Sequence, residues 1–338
     1  MNAPAKEYDG IHKYIRITDI DEQTSAYKQD DVVSPDAELE EKYKVKENDI
    51  LFARTGASTG KSYLYDINDG VLYYAGFLIR GNVKIDNNAK FVFLQTKTSN
   101  YKNWVGIMSA RSGQPGINSQ EYSSYRFRIP SKAEQNKIAQ VFSLIDNRIQ
   151  TQIGAINKHE SLIKAIAGEL TCEGEKVRLA DLVDCHSSTM QENDITNDGY
   201  YPVYGATGIC GYTNSPLCNE DAIIIVKDGS GVGNIKYACS GFSILGTLCY
   251  LTAKQNVSIG FVYCCLINFD FSPYKTGMAI PHIYFKDYGK GKINIKSAAE
   301  QQKTKTLLFL LMEKLDVERK LLAQYKLQKQ YLLSQMFV

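Results

Sequence analysis

The 338-residue sequence has little histidine, four residues in all, at positions 12, 159, 186 and 282. No Ser/His/Asp arrangement and no H-E-x-x-H stretch appears, so the common hydrolase chemistries find no support. Metal binding is equally unsupported. The eight cysteines (Cys172, Cys185, Cys210, Cys218, Cys239, Cys249, Cys264 and Cys265) contain no C-x-x-C pair and stand at no zinc-finger spacing to His. They are expected to be free, mostly buried thiols that pack a strand-rich core, with no metal held. Long apolar runs are missing too: none approaches the roughly 18 residues of a membrane span. The start, Met1-Asn-Ala-Pro-Ala-Lys-Glu7, has no signal-peptide core. A cytoplasmic protein without membrane contact is expected.

A strong charge of one sign is also lacking, since the net charge is only +2. The distribution says more than the sum. Residues 1–50 carry −6 and residues 51–130 carry +6; the sign change recurs as −4 over 176–220 and +3 over 221–295. This order would place a basic face on each of two modules. The length, with 44% hydrophobic and 22% charged residues, suits more than one soluble globular domain.

An internal repeat organises the chain at an offset of 166 residues. Ile129-Pro-Ser-Lys-Ala-Glu-Gln-Asn-Lys137 aligns with Ile295-Lys-Ser-Ala-Ala-Glu-Gln-Gln-Lys303, and a long helical pattern follows each. In the first, Phe142, Ile145, Ile149, Gln152, Ile156, His159 and Ile163 recur at alternating steps of three and four; Leu308, Leu311, Leu315, Glu318, Leu322, Tyr325, Lys329 and Leu332 do so in the second. That alternation is the seam of a coiled coil, interrupted at the matching polar positions Gln152 and Glu318. Ser131 with Glu134, and Ser297 with Glu300, have capping-box spacing and set where each helix starts.

Each helix is preceded by short strand-like runs and turns. The stretch GASTGKS, Gly56 to Ser62, suggests a phosphate-binding loop, but its glycines are separated by one residue too few and strand-like sequence follows where that loop requires a helix. Its counterpart is Asp228-Gly-Ser-Gly-Val-Gly-Asn234: Gly56 and Gly60 match Gly229 and Gly233, and Arg54 matches Lys227. Both copies keep the strand, the basic residue and the paired glycines, whereas Lys61-Ser62 is replaced by Asn234-Ile235. Ser112-Gly-Gln-Pro-Gly-Ile-Asn118 and Thr276-Gly-Met-Ala-Ile-Pro-His-Ile283 supply a second shared feature, a Pro-containing loop.

In this order, Asn48-Asp49-Ile50-Leu51, Gly56-x-x-x-Gly60, Thr276-Gly277-Met278-Ala279-Ile280-Pro281-His282-Ile283 and the Glu134-Gln135/Glu300-Gln301 pairs make the sequence resemble the specificity subunit of type I restriction-modification enzymes. The resemblance covers nearly the whole chain. It implies an α+β architecture of two β-rich target-recognition domains, each followed by a long helix, the helices pairing as an antiparallel coiled coil. The implied boundaries are 1–130, 131–175, 176–295 and 296–338. One departure concerns the start of the first domain. The second module opens with Val177-Arg-Leu-Ala-Asp-Leu-Val183, and the first, beginning near His12, is expected to lack the corresponding N-terminal strand.

The resemblance further implies that the chain reads a bipartite, asymmetric site on double-stranded DNA. It would direct adenine methylation by two modification subunits and restriction by motor-nuclease subunits. S-adenosylmethionine, ATP and magnesium are then cofactors of those partners and none belongs to this chain. The sequence has no N/D-P-P-F/Y adenine-methylation signature, consistent with a non-catalytic role. Side chains able to fork onto base edges or hold phosphate are expected among Arg54, Lys61, Arg80, Lys102, Arg111 and Gln114 in the first module. Those of the second are Lys227, Lys236, Lys275, His282 and Lys286. The competing expectations are a coiled-coil adaptor that reads no DNA and a nucleotide hydrolase built on Gly56–Ser62.

Overall fold

In the computed structural model, residues 1–22, 24–110, 114–196 and 198–337 are described. Local sequence accounts for the two long helices. Ser131 receives the Glu134 amide at 3.4 Å, and the Glu134 carboxylate accepts from the Ser131 amide at 3.0 Å. Ser297 and Glu300 repeat the pairing, with the Ser297 amide donating at 3.2 Å. Helices of 40 and 39 residues follow, Lys132–Thr171 and Ala298–Met336. The chain forms two compact units, Met1–Thr151 with Leu322–Val338, and Gln152–Leu321.

The first unit contains strands β1 (Ala5–Glu7), β2 (His12–Ile15), β3 (Val33–Pro35), β4 (Asp49–Ala53), β5 (Ser62–Leu64), β6 (Val71–Tyr74) and β7 (Leu78–Asn82). Helices α1 (Ala89–Gln95), α2 (Ser99–Ser109) and α3 (Ser119–Ser124) lead to the first long helix, α4 (Lys132–Thr171). The strands pair as β5-β4-β7, β2-β6 and β1-β3. Ile15, Ile20, Leu51, Tyr63 and Leu72 form the core. Phe91 and Leu94 of α1 seat against Phe142 of α4 and Phe337 beyond the second long helix, with the Phe91 and Phe337 rings stacked at 5.3 Å.

The second unit adds β8 (Glu175–Arg178), α5 (Leu179–Leu182), β9 (Val183–Ser187), β10 (Tyr201–Gly205), β11 (Gly208–Thr213), β12 (Ala222–Val226), β13 (Ile235–Ala238), β14 (Ser243–Ile244) and β15 (Leu248–Ala253). It is completed by α6 (Ile259–Leu266), α7 (Phe285–Tyr288), β16 (Lys292–Ile295) and part of α8 (Ala298–Met336). An antiparallel sheet, β13-β12-β15-β9, lies at its centre. Its β12, Ala-Ile-Ile-Ile-Val, is buried throughout because both faces are covered. Ile223 and Ile225 pack with Phe261 and Val262 of α6, and Ile224 and Val226 pack with Val203, Phe242 and Ile244 around the three-stranded β11-β10-β14 sheet. The final strand β16 pairs with β8. In the first unit residues 125–131, before α4, form no strand. The cysteines are all free; Cys218, Cys249, Cys264 and Cys265 are buried, whereas Cys172, Cys210 and Cys239 are exposed on edges and turns.

The long helices run antiparallel. In the first unit the start of α4 meets the end of α8; in the second the end of α4 meets the start of α8. Phe142, Ile149, Ile156, Ile163, Leu308 and Leu315 are buried, and Ile145, Leu311, Leu322 and Leu332 are half-buried. The polar seam positions meet one another. Gln152 donates to the Glu318 carbonyl at 3.3 Å, and His159 Nδ1 stands 3.1 Å from Glu318 Oε2. Lys329, at the place of Ile163 in the repeat, is held by Asp146 at 2.6 Å, and Arg148 lies over the Tyr325 ring.

Candidate nucleic-acid interface

The same loop junction is built twice, once in each unit. In the first, β4 ends at Ala53 and the chain turns through Gly56 (φ +74°) and Gly60 (φ +88°), left-handed values that favour glycine. Gly56 donates to the Pro115 carbonyl at 2.9 Å, and Ile117 donates to the Arg54 carbonyl at 2.9 Å. In the second, Gly229 (φ +95°) donates to Pro281 at 2.9 Å, and Ile283 donates to Lys227 at 2.9 Å. Gly60 and Gly233 close the turns by donating to Ala53 and Val226, each at 3.0 Å. The glycine turn and the Pro-containing loop are thus hydrogen-bonded to each other, and the residues at their tips are presented together.

These bonds exclude the phosphate-loop reading on the turn's own chemistry. The amides of Gly56, Thr59, Gly60 and Lys61 are committed to Pro115, Gly56, Ala53 and Ser58 carbonyls. A phosphate cradle needs such amides free. Ser62, which would have to face a magnesium ion, is buried, 2.6 Å from the Thr96 hydroxyl and 2.7 Å from the Lys97 ammonium. A strand, β5, follows.

The rear of the first turn is latched by two tyrosines. Tyr122 donates to the Ala53 carbonyl at 2.6 Å and accepts from the Gly60 amide at 3.2 Å, while Tyr101 donates to the Gly60 carbonyl at 3.1 Å. Burial pushes the Tyr122 phenol up to about 12 and raises Tyr101 further, so both stay protonated donors. Val105 closes on Gly60, where a Cβ would come within 2.6 Å; Phe271 does the same behind Gly233 at 3.0 Å. The aromatic run before α4 carries Tyr122, but its latch role depends on long-range pairing that no local pattern announces.

The expected contact residues fall into two groups. Arg54 and Gln114 are exposed at the first junction; Gln114 Nε2 lies 3.3 Å from where a Cβ on Gly56 would stand. Arg111 lies outside the described residues. At the second junction Lys227 is half-buried, His282 pairs with Thr276 through the backbone and packs its ring on Tyr284, and Lys275 is exposed at the loop's foot. Lys286 lies over the Tyr284 ring at 5.2 Å. Others are placed away from these tips or tied to the protein. Arg80 donates to the Lys44 carbonyl at 2.9 Å beside buried Asp49 and faces the Tyr74 ring, which gives it a packing role. Lys61 is paired with Glu22 at 2.6 Å, Lys236 lies over Tyr204 at 4.7 Å, and Lys102 is exposed on α2.

In each unit a glutamine ties module to helix, a role the sequence reading missed. Gln135 is buried; its carbonyl accepts from the Asn88 amide at 2.9 Å and its amide donates to Pro130 at 3.0 Å. Gln301 likewise accepts from the Ser258 amide at 3.2 Å and donates to Lys296 at 2.9 Å. Asn88 and Ser258 are the N-caps of α1 and α6. The repeated Glu-Gln pair was the available signal: Glu caps the long helix and Gln grips the cap of the helix packed on it.

Among the described residues no group of three or more His, Cys, Asp or Glu stands together to hold a metal. Among them no helix is long and apolar enough to cross a membrane. The chain is similar to a protein from Mycoplasma genitalium named as a type I specificity subunit, 25% identical over 61% of this chain and 60% of that one. It is also similar to the specificity subunit of a type I restriction enzyme from Methanocaldococcus jannaschii, 26% identical over 54% of this chain and 44% of that one. The chain therefore spans 60% and 44% of the length of these two curated relatives. Its fold is similar to the crystal structure of a type I restriction-modification S subunit from Mycoplasma genitalium, with TM-score 0.64 at 19% identity over 100% of this chain and 93% of that one. A structure describing complex assembly and conformational transition of the type I system matches with TM-score 0.57 at 15% identity over 95% and 90%. The model of the type I restriction modification DNA specificity domain matches residues 2–158 and again 173–326, and the chain belongs to that family.

Proposed function

We propose that the chain is the DNA-recognition subunit of a type I restriction-modification complex and reads a bipartite, asymmetric site. The observation that carries the reading is the duplicated junction. One backbone scaffold, a glycine turn bonded to a Pro-containing loop, presents Arg54 and Gln114 in one unit and Lys227, Lys275 and His282 in the other. Identical scaffolds with different side chains suit two different half-sites. Two such scaffolds carried by one chain suit a split site. Catalysis belongs to the partners in this reading: S-adenosylmethionine-dependent modification subunits methylate adenine, and ATP-driven restriction subunits cleave.

Partner docking finds a matching duplication. Val141 and Leu144 on α4 are exposed, and so are Leu307 and Leu310, their counterparts 166 residues on in α8. A shallow groove of about 370 Å³ is lined by Gln302, Lys303, Thr306, Leu307 and Leu310. Two equivalent apolar pairs suit two copies of one modification subunit. Because the net charge is only +2, counterion release supplies little affinity and the chain alone binds DNA weakly.

The test is the map of methylated adenines in a genome with and without this chain. A split motif that appears only with it is expected, and exchanging residues 51–130 changes one half of that motif. Changes in both halves, or methylation indifferent to the chain, would remove the reading.

A further inference from the structure

The loop Gly277–Pro281 is a short hairpin tip whose shape is fixed from below. Thr276 and His282 exchange backbone hydrogen bonds at 2.9 and 2.8 Å, and the Pro281 carbonyl accepts from Gly229. Gly277 (φ +89°) leaves no room for a side chain, since a Cβ would stand 2.3 Å from the Ile280 carbonyl. On this anchored tip Met278 is 106% exposed and Ile280 67%. Single exposed apolar side chains are ordinary. Two on one tied-down five-residue loop, flanked by Lys275 and by His282, Tyr284 and Lys286, are a different matter.

No side chain of Met278, Ala279, Ile280 or Pro281 offers a strong hydrogen-bonding group. The tip therefore cannot read the donors and acceptors of base edges with its side chains. It can only offer apolar surface, on a foot of cations that suits phosphate. Met, Ile and Pro are among the residue types that enter between base pairs and unstack them.

We infer that Met278 and Ile280 form an apolar wedge that enters one base step of the half-site read by the second unit. This rests on the proposed DNA-recognition function and deepens it: the second half-site is read partly through the ease of unstacking a step, favouring a flexible pyrimidine–purine step there.

The experiment uses the full chain co-expressed with its modification subunit. Methylated sites are mapped for the unaltered chain, for Met278→Ser with Ile280→Ser, and for Met278→Leu. The double change is expected to relax one step in one half-site by roughly tenfold, the scale of one mismatched pair, with the other half-site unchanged; Met278→Leu retains the preference. On a duplex carrying the mapped motif with 2-aminopurine at that step, binding of the complex raises fluorescence several-fold, and the double variant does not. An unchanged motif with the double variant overturns the wedge, as does loss of its effect when thymine at the step is replaced by uracil, which would assign the contact to a methyl group. A wild-type chain that directs no motif at all overturns the recognition function itself, so the two failures are distinguishable.

Discussion

The Gly56 amide meets the Pro115 carbonyl at 2.9 Å, and this bond sets the first loop junction. It requires the chain to pass through left-handed φ at Gly56 and again at Gly60, where Val105 fills the space a side chain would need. Gly60→Ala therefore adds both backbone strain and a clash. A loss of about 2–3 kcal/mol is expected in urea denaturation. Adding Val105→Ala should not restore full stability, because the strain at φ +88° remains. An unchanged unfolding midpoint in the single variant would show that the turn is not held this way.

Lys97 predicts a pH dependence. Its ammonium donates to Ser25 Oγ at 2.7 Å, Ser62 Oγ at 2.7 Å and the Ser62 carbonyl at 3.2 Å. Burial, reinforced by Lys329, Lys90 and Lys102, lowers its pKa from 10.5 to about 7. The unfolded chain keeps this proton up to about 10.5, so between pH 7 and 10.5 the unfolded state binds more protons than the folded one. Stability contributed by this group therefore rises as pH increases through that window. Lys97→Met removes the rise, and the slope difference between variant and parent in urea midpoints from pH 6.5 to 9 measures it. Parallel slopes would count against it.

Much of the architecture could be read from the chain because it is written in local terms. The two capping boxes start both long helices, the alternating apolar steps place Phe142, Ile149, Leu308 and Leu315 inward, and paired glycines mark the two turns. The interface was less legible because a charged side chain carries no sign of what it meets. Arg80 and Lys61 look alike as candidates, yet one lies across Tyr74 beside a buried aspartate and the other is taken by Glu22. Their partners come from segments distant in sequence, and no spacing rule reaches that far. The same holds for Tyr101 and Tyr122, two tyrosines among 23.

The buried glutamines give a prediction confined to one unit at a time. Gln135→Leu keeps the volume but leaves the Asn88 amide and the Pro130 carbonyl without their partner. Both groups are half-buried, so each orphaned one costs about 1 kcal/mol. Hydrogen exchange should quicken in α1 and at the start of α4, with α6 unaffected; Gln301→Leu should do the reverse through Ser258. A uniform change across both units would argue against two independent clamps.

The exposed pairs on the long helices give a stoichiometric test of docking. Val141 and Leu144 in one helix, and Leu307 and Leu310 in the other, are each exposed by more than a third, so changing them to serine should leave the melting temperature of the chain nearly unaltered. If each pair seats one modification subunit, Val141→Ser with Leu144→Ser reduces the complex measured by light scattering from two modification subunits to one. The change in α8 does the same, and combining the two removes both. Loss of both subunits from either single-site variant would instead mean one continuous docking surface, and retention of both from the combined variant would place docking elsewhere on the chain.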